Sequence, residues 1–166
     1  MTVLVTGATG TVGSAVVTEL NPTELPVRAG VRDPTATSLS VETVTFDYTK
    51  PETWGDALDG VEAVFLMFPP GVTPGRVTDF ADAAVRTGVE RLVFLSVLGA
   101  DKLPVLPHRR IERHLERLDA ETAALRVAYF MQNLSGIHSP EIRENGELFI
   151  PAGEGRLGFI DARDGG

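Results

Sequence analysis

The chain has 166 residues, 43% of them hydrophobic, and carries 23 acidic against 15 basic side chains for a net charge of −8 at pH 7. That content can build one sizeable core and excludes disordered or fibrous material, while the negative balance disfavours a nucleic-acid partner, whose phosphates would be repelled. Cysteine is absent, excluding disulfides and thiolate metal sites, and no charged-then-apolar leader precedes Val3, so a cytoplasmic location is expected.

The β-branched run Thr2–Thr6 reads as a strand ending in a glycine-rich turn, Gly7-Ala8-Thr9-Gly10-Thr11-Val12-Gly13, and Ser14–Leu20 continues as a helix that Asn21-Pro22 stops. Val27–Val31 and Val41–Phe46 read as strands. A helix is expected over Pro51–Leu58 and a fourth strand over Val61–Phe68. The apolar core of that strand, Ala63–Phe68, ends at Pro69-Pro70, far short of the roughly 20 residues a membrane helix needs, so no membrane partner is expected. Asp79–Thr87 reads as a helix closed by Gly88, Arg91–Leu95 as a fifth strand, His108–Leu118 as a helix and Ala124–Ala128 as a sixth strand. Beyond Tyr129 regularity fades into a tail with Gly146, Gly153, Gly155, Gly158, Gly165 and Gly166, with strand-like pieces at Leu148–Ile150 and Leu157–Ile160. Strands alternating with helices at this spacing predict a single domain with a doubly wound parallel sheet, a three-layer α/β/α Rossmann fold. A ligand then belongs at the carboxyl ends of the strands.

A dinucleotide's diphosphate needs a backbone it can approach closely and the positive end of a helix. Gly7, Gly10 and Gly13, with Thr9, Thr11 and Val12 between and beside them, supply that cradle, although their spacing is G-x-x-G-x-x-G. The end of the second strand decides the cofactor: a cation pairs with a 2′-phosphate, a carboxylate with a 2′-hydroxyl. Arg32 stands there and favours NADP(H). Asp33 follows it and leaves NAD(H) as the alternative, and an Arg32–Asp33 surface pair is the bland reading.

Several stretches resemble the NmrA-like, atypical short-chain dehydrogenase/reductase family: Val3–Gly10, Val31-Arg32-Asp33-Pro34, Val89–Ser96, Leu125–Asn133, which is similar to "LRPGxFMxN" with Val127 in place of proline, and Phe159–Asp164, similar to "IDxRD". The resemblance implies a nicotinamide dinucleotide with Asp47 and Tyr48 near the adenine, Met67, Phe68 and Pro69 beside the nicotinamide ribose, and Ser96 in the same cofactor-binding set. A turn role for Asp47 and a core role for Met67-Phe68 stay open. The Tyr-x-x-x-Lys pair of ordinary short-chain dehydrogenases is absent. In its place stands His108-Arg109-Arg110-Ile111-Glu112, which sets His108 and Glu112 on one helix face and makes His108 a candidate catalytic proton donor or, equally, a helix-entry histidine. His108 and His114 face different sides of that helix, so no metal site is expected.

Two functions are compatible with this pattern. One is NADPH-dependent reduction of a quinone-like or small conjugated carbonyl acceptor; the other is a non-catalytic NADP(H)-sensing regulator. Family members continue well past "IDxRD", so a truncated chain lacking part of a substrate cover is expected, and a homo-oligomer is left open.

Overall fold

The structure is a computed structural model and describes residues 1–150 and 156–165. Its centre is a parallel sheet of β1 (Thr2–Thr6), β2 (Val27–Val31), β3 (Glu42–Thr45), β4 (Val61–Leu66), β5 (Arg91–Val97) and β6 (Glu121–Val127). The spatial order is β3-β2-β1-β4-β5-β6. Parallel neighbours need crossovers. Helices α1 (Thr11–Leu20), α2 (Trp54–Leu58), α3 (Pro74–Arg86) and α4 (Pro107–Leu115) fill all of them but the one between β2 and β3, which is a loop with a 3-10 turn at Pro34–Ala36. The winding reverses between β1 and β4, giving the doubly wound, three-layer α/β/α Rossmann arrangement.

Strand alternation divides the core between the two faces. Leu4, Val64, Leu66, Leu92 and Phe94 turn toward α2, α3 and α4, where they meet Trp54, Phe80 and Ile111. Val3, Val5, Phe65 and Leu95 turn the other way, toward Val12, Val16 and Val17 of α1. One helix cannot cover that second face across six strands, and over β5 and β6 the side chains of Val93 and Leu125 stay 39% and 41% exposed.

The structure corrects several expected boundaries. Helix α3 begins at Pro74, five residues before Asp79, because Thr73 and Pro74 take the N-cap and N1 positions and Val77, Phe80, Ala81 and Ala84 recur on one buried face. Strand β4 stops at Leu66, α4 stops at Leu115, and β6 already starts at Glu121. Leu148–Ile150 forms no strand: the Phe149 N–H donates to the Glu141 carboxylate in place of a ladder partner. The piece at Leu157–Ile160 shortens to β8 (Phe159–Ile160), which pairs in parallel with β7 (Tyr129–Phe130). Two short helices, α5 (Gln132–Ser135) and α6 (Ser139–Asn145), lie between them. Gly153, Gly155 and Gly166 lie outside the described residues.

Candidate functional site

The carboxyl ends of all six strands form one rim, and the glycine loop occupies its centre. Gly7 adopts φ +63°, a left-handed turn that reverses the chain directly after β1. At Gly13 a Cβ would stand 2.1 Å from the Gly7 carbonyl oxygen, so only glycine lets the first turn of α1 lie against the strand end. Ala8, Val12 and Gly13 are buried and anchor the loop, whereas Thr9, Gly10 and Thr11 are exposed at its tip.

The start of α1 is chemically vacant. Gly10, at the N-cap, has no side chain to offer, and the first turn holds no acidic residue. Its helical ladder begins with Ser14 N–H donating to the Gly10 carbonyl at 2.9 Å, which leaves the N–H groups of Thr11, Val12 and Gly13 without intrahelical acceptors. Unsatisfied donors at the positive end of a helix dipole suit a diphosphate.

Arg32 lies exposed at the end of β2. The Asp33 carboxylate is turned away from it, accepting from the Thr35 backbone N–H at 2.9 Å and the Thr35 hydroxyl at 2.6 Å. These bonds, the hydroxyl's first, hold its pKa below the usual carboxylate value. Arg32 therefore has no carboxylate within salt-bridge distance among the described residues, and the expected alternative of an Arg32–Asp33 pair is not formed.

Asp47 begins the turn after β3. Its carboxylate accepts from the Thr49 N–H at 2.8 Å and hydroxyl at 2.7 Å, and its carbonyl accepts from the Trp54 indole at 2.9 Å. The positive field of Arg32 adds to the effects that lower its pKa, of which the Thr49 backbone bond is the largest. The Tyr48 ring is 4% exposed, packed edge-on to Phe46 and Phe80. Its hydroxyl donates to Thr6 Oγ1 at 3.0 Å, and burial pushes its pKa up. Only the Tyr48 backbone is left to meet a ligand at this edge. Thr6 in turn donates to the Phe65 carbonyl at 2.9 Å and accepts from the Met67 N–H at 3.0 Å, tying the ends of β1 and β4 together beneath the loop.

On the far side of the switch point, Met67, Phe68 and Pro69 are half-buried. The Met67 sulfur packs so closely on Gly7 that a Cβ there would meet it at 2.8 Å. Phe68 presents its face or edge to His108, with centroids 5.3 Å apart at 82°, and Phe94 lies 6.0 Å from the same imidazole. His108 thus points inward, and burial lowers its pKa despite the opposing charge of Glu112.

Ser96 is wholly buried with its hydroxyl on Glu112 at 2.6 Å. Glu112, 2% exposed, also accepts from Arg126 Nε and Nη2, both at 2.9 Å, and from Arg109 Nη1 at 3.0 Å. These donors, Arg126 first, hold its carboxyl down to about 2 against the effect of burial. This knot joins β5, α4 and β6. Sequence alone shows Glu112 only as a helix-face neighbour of His108, and a charged residue between Ile111 and Leu115 on an amphipathic helix is the one signal of it. His114 instead bridges to Asp82 of α3 at 2.7 Å.

A model of the NmrA-like family matches residues 1–166. The chain is 36% identical over 173 residues to the NAD(P)H azoreductase of Xenophilus azovorans, with 98% of this chain and 59% of that protein covered. It is 33% identical over 168 residues to the uncharacterized oxidoreductase YesF of Bacillus subtilis (strain 168), with 98% and 57% covered. Among solved structures, NADPH-dependent quinone oxidoreductase QOR2 from Escherichia coli, complexed with NADPH, matches with a TM-score of 0.78 at 26% identity, covering 98% of this chain and 61% of that one. Citrobacter sp. triphenylmethane reductase complexed with NADP(H) shares the fold with a TM-score of 0.81 at 23% identity, with 99% and 62% covered. The chain spans less than two thirds of the length of each of these proteins.

Proposed function

Because the chain belongs to the NmrA-like family, we propose that it is a reductase that uses a reduced nicotinamide dinucleotide, NADPH in preference to NADH, and delivers reducing equivalents to a quinone-like or other small conjugated carbonyl acceptor. The observation that carries the nucleotide reading is the uncapped, acid-free start of α1 behind the Gly7–Gly13 turn, a donor set that fits a diphosphate. When bound, the nicotinamide supplies the hydride.

The chain's own residues then have separate tasks. The N–H groups of Thr11, Val12 and Gly13 hold the diphosphate, and Thr9 lies at the exposed loop tip beside it. Arg32, with no carboxylate partner in reach, pairs with the 2′-phosphate. Asp47 lies at the adenine edge, where its second carboxylate oxygen is available beyond the Thr49 bonds. Met67, Phe68 and Pro69 form the apolar wall on which the nicotinamide half rests, and they exclude water from one side of it. His108, which points inward between Phe68 and Phe94, serves as an N–H hydrogen-bond donor that steadies the acceptor oxygen. Ser96 acts through Glu112, setting the position of α4 and so of His108.

The names of the relatives support the same reading, since one is an NAD(P)H azoreductase and another an NADPH-dependent quinone oxidoreductase. The absence of a Tyr-x-x-x-Lys pair favours a second reading, an NADP(H)-responsive binding protein. Spectrophotometric NADPH oxidation with a panel of quinones separates the two. Turnover with at least one quinone supports the reductase; tight NADPH binding with no turnover, together with nucleotide-dependent capture of a protein partner, supports the sensor.

A further inference from the structure

Beyond β6 the chain assembles a second polar array that the sequence pattern gives no hint of. The Tyr129 hydroxyl lies 2.5 Å from His138 Nε2, and His138 Nδ1 lies 3.3 Å from the Glu141 carboxylate. The three residues come from β7, the turn before α6 and the first turn of α6. The His138 side chain is 15% exposed and that of Glu141 33%, so the array runs from a solvent-accessible carboxylate to a half-buried phenol. Phe159 closes one side, its ring edge-on to Tyr129 at 5.9 Å.

Its place in the fold gives the array meaning. Tyr129 follows the carboxyl end of β6 by two residues, on the rim that carries the glycine loop. Its neighbour Phe130 packs, with Met67 and Ile160, against the cluster that includes Val12 of the loop and Leu95 of β5. Alternation along β7 turns Tyr129 to the opposite side from Phe130. A carboxylate on Nδ1 selects the tautomer that carries a proton on that nitrogen and leaves Nε2 facing the phenol.

We propose that the Tyr129 hydroxyl is the proton donor of the reduction, resupplied through His138 and oriented by Glu141. The inference rests on the reductase reading above. A conjugated carbonyl that has received a hydride from a reduced nicotinamide dinucleotide gains both electrons and one hydrogen and is left with an oxyanion. The Tyr129 O–H bond breaks and an O–H bond forms on the acceptor. A proton from water beside Glu141 then reaches the phenolate through the His138 ring and restores the phenol. One hydride and one solvent proton are consumed per acceptor reduced. The array sets a phenol beside a basic side chain, as the missing Tyr-x-x-x-Lys pair would, with histidine in the place of lysine.

The test uses the chain with Y129F, H138Q and E141Q, and reads nucleotide Kd, steady-state quinone reduction, thermal midpoint and the ring 15N signals of His138. The expected result is a fall in kcat of about 100-fold in Y129F and a smaller fall in H138Q and E141Q. NADPH Kd should stay within about two-fold in all three, since none of them touches the loop that holds the diphosphate. NADPH should also shift the His138 signals in the wild type and do so less in Y129F. Full kcat in Y129F overturns the proposal and leaves the reductase reading standing, as does a lowered midpoint without a kcat change, which marks a purely structural tie. If the wild type reduces no quinone, the reductase reading falls. The proton-donor proposal, which needs that reduction, then falls with it.

Discussion

Replacing Gly13 by alanine tests whether the loop exists to press the start of α1 against the end of β1. The added Cβ would lie 2.1 Å from the Gly7 carbonyl oxygen, 2.7 Å from the Gly7 carbonyl carbon and 3.0 Å from Ala8 Cα. Ordinary carbon contacts sit near ~3.5 Å, so the first turn of α1 has to retreat by about 1 Å. All three obstructing atoms are backbone and cannot swing aside. The helix is also held from behind, because Val12, Val16 and Val17 are packed against Val3, Val5 and Phe65. Two losses follow. Overpacking should cost about 1–3 kcal/mol of stability. Displacing even one N–H from a phosphate oxygen removes a hydrogen bond to a charged group worth about 1.5–3 kcal/mol, which raises NADPH Kd by about 10-fold or more. Fluorescence titration of NADPH beside a urea melt reads both quantities. Gly55→Ala is the control, since its Cβ would meet nothing within 4 Å, and it should leave binding unchanged. Gly13→Ala binding NADPH within two-fold of the wild type, at unchanged stability, would refute the reasoning.

Three further outcomes are expected. Arg32→Ala should weaken NADPH by about 10-fold, less than a buried pair would give because the guanidinium is exposed, and leave NADH nearly untouched; equal losses in a paired titration would remove the 2′-phosphate assignment. Thr6→Val strips the hydroxyl that accepts from Tyr48 and Met67 and should cost about 2–4 kcal/mol in a urea melt, with Tyr48→Phe in the same background restoring part of it. Glu112 has a folded pKa of about 2 against a usual 4.5, so its contribution is fully present above pH 4.5 and is lost as pH falls toward 2; Glu112→Gln should lower the thermal midpoint by about 5 °C or more at pH 7 and flatten its fall through that acid window.

How much of this was legible in the sequence depended on how local the physics is. The turn from β1 into α1 shows itself because the glycines, the strand before them and the helix after them lie within twenty residues. Arg32 is legible by position, at a strand end the fold makes decisive. Side-chain partners remote in sequence are not. Ser96, Glu112 and Arg126 meet across separations of 16 and 14 residues on three elements, and only packing brings them together. Tyr48 is expected near the adenine, and its burial shows only once the Thr6 hydroxyl, 42 residues away, gives its phenol a buried partner. Helices α5 and α6 are too short, at four and seven residues, to show a hydrophobic period. The Tyr129–His138–Glu141 array is hidden for the same reason, because its spacing has meaning only once β7 and α6 have turned toward each other.

The two buried knots explain why one rim can serve both halves of a dinucleotide. Thr6 binds the ends of β1 and β4 to Tyr48 after β3, while Glu112 binds the ends of β5 and β6 to α4. Each sits under one side of the switch point: the Thr6 hydroxyl fills backbone hydrogen-bonding capacity at the end of β4, and Glu112 gathers the Ser96, Arg109 and Arg126 side chains. The rim is therefore ordered before any ligand arrives, and binding need not order it. The elements past β6 extend the same scaffold. Gln132 donates to Asp161 at 2.8 Å and accepts from the Ala162 N–H at 2.9 Å, and Ala162, 1% exposed, packs in the cluster that holds Val12. The segment carrying Tyr129 and His138 is thus braced against the glycine loop itself. Phe130, next to Tyr129, and Ala162 share one apolar cluster with Val12 of the loop, so a change in this tail that loosens Ala162 should weaken NADPH binding and displace Tyr129 together, whereas Tyr129→Phe should leave NADPH binding unchanged.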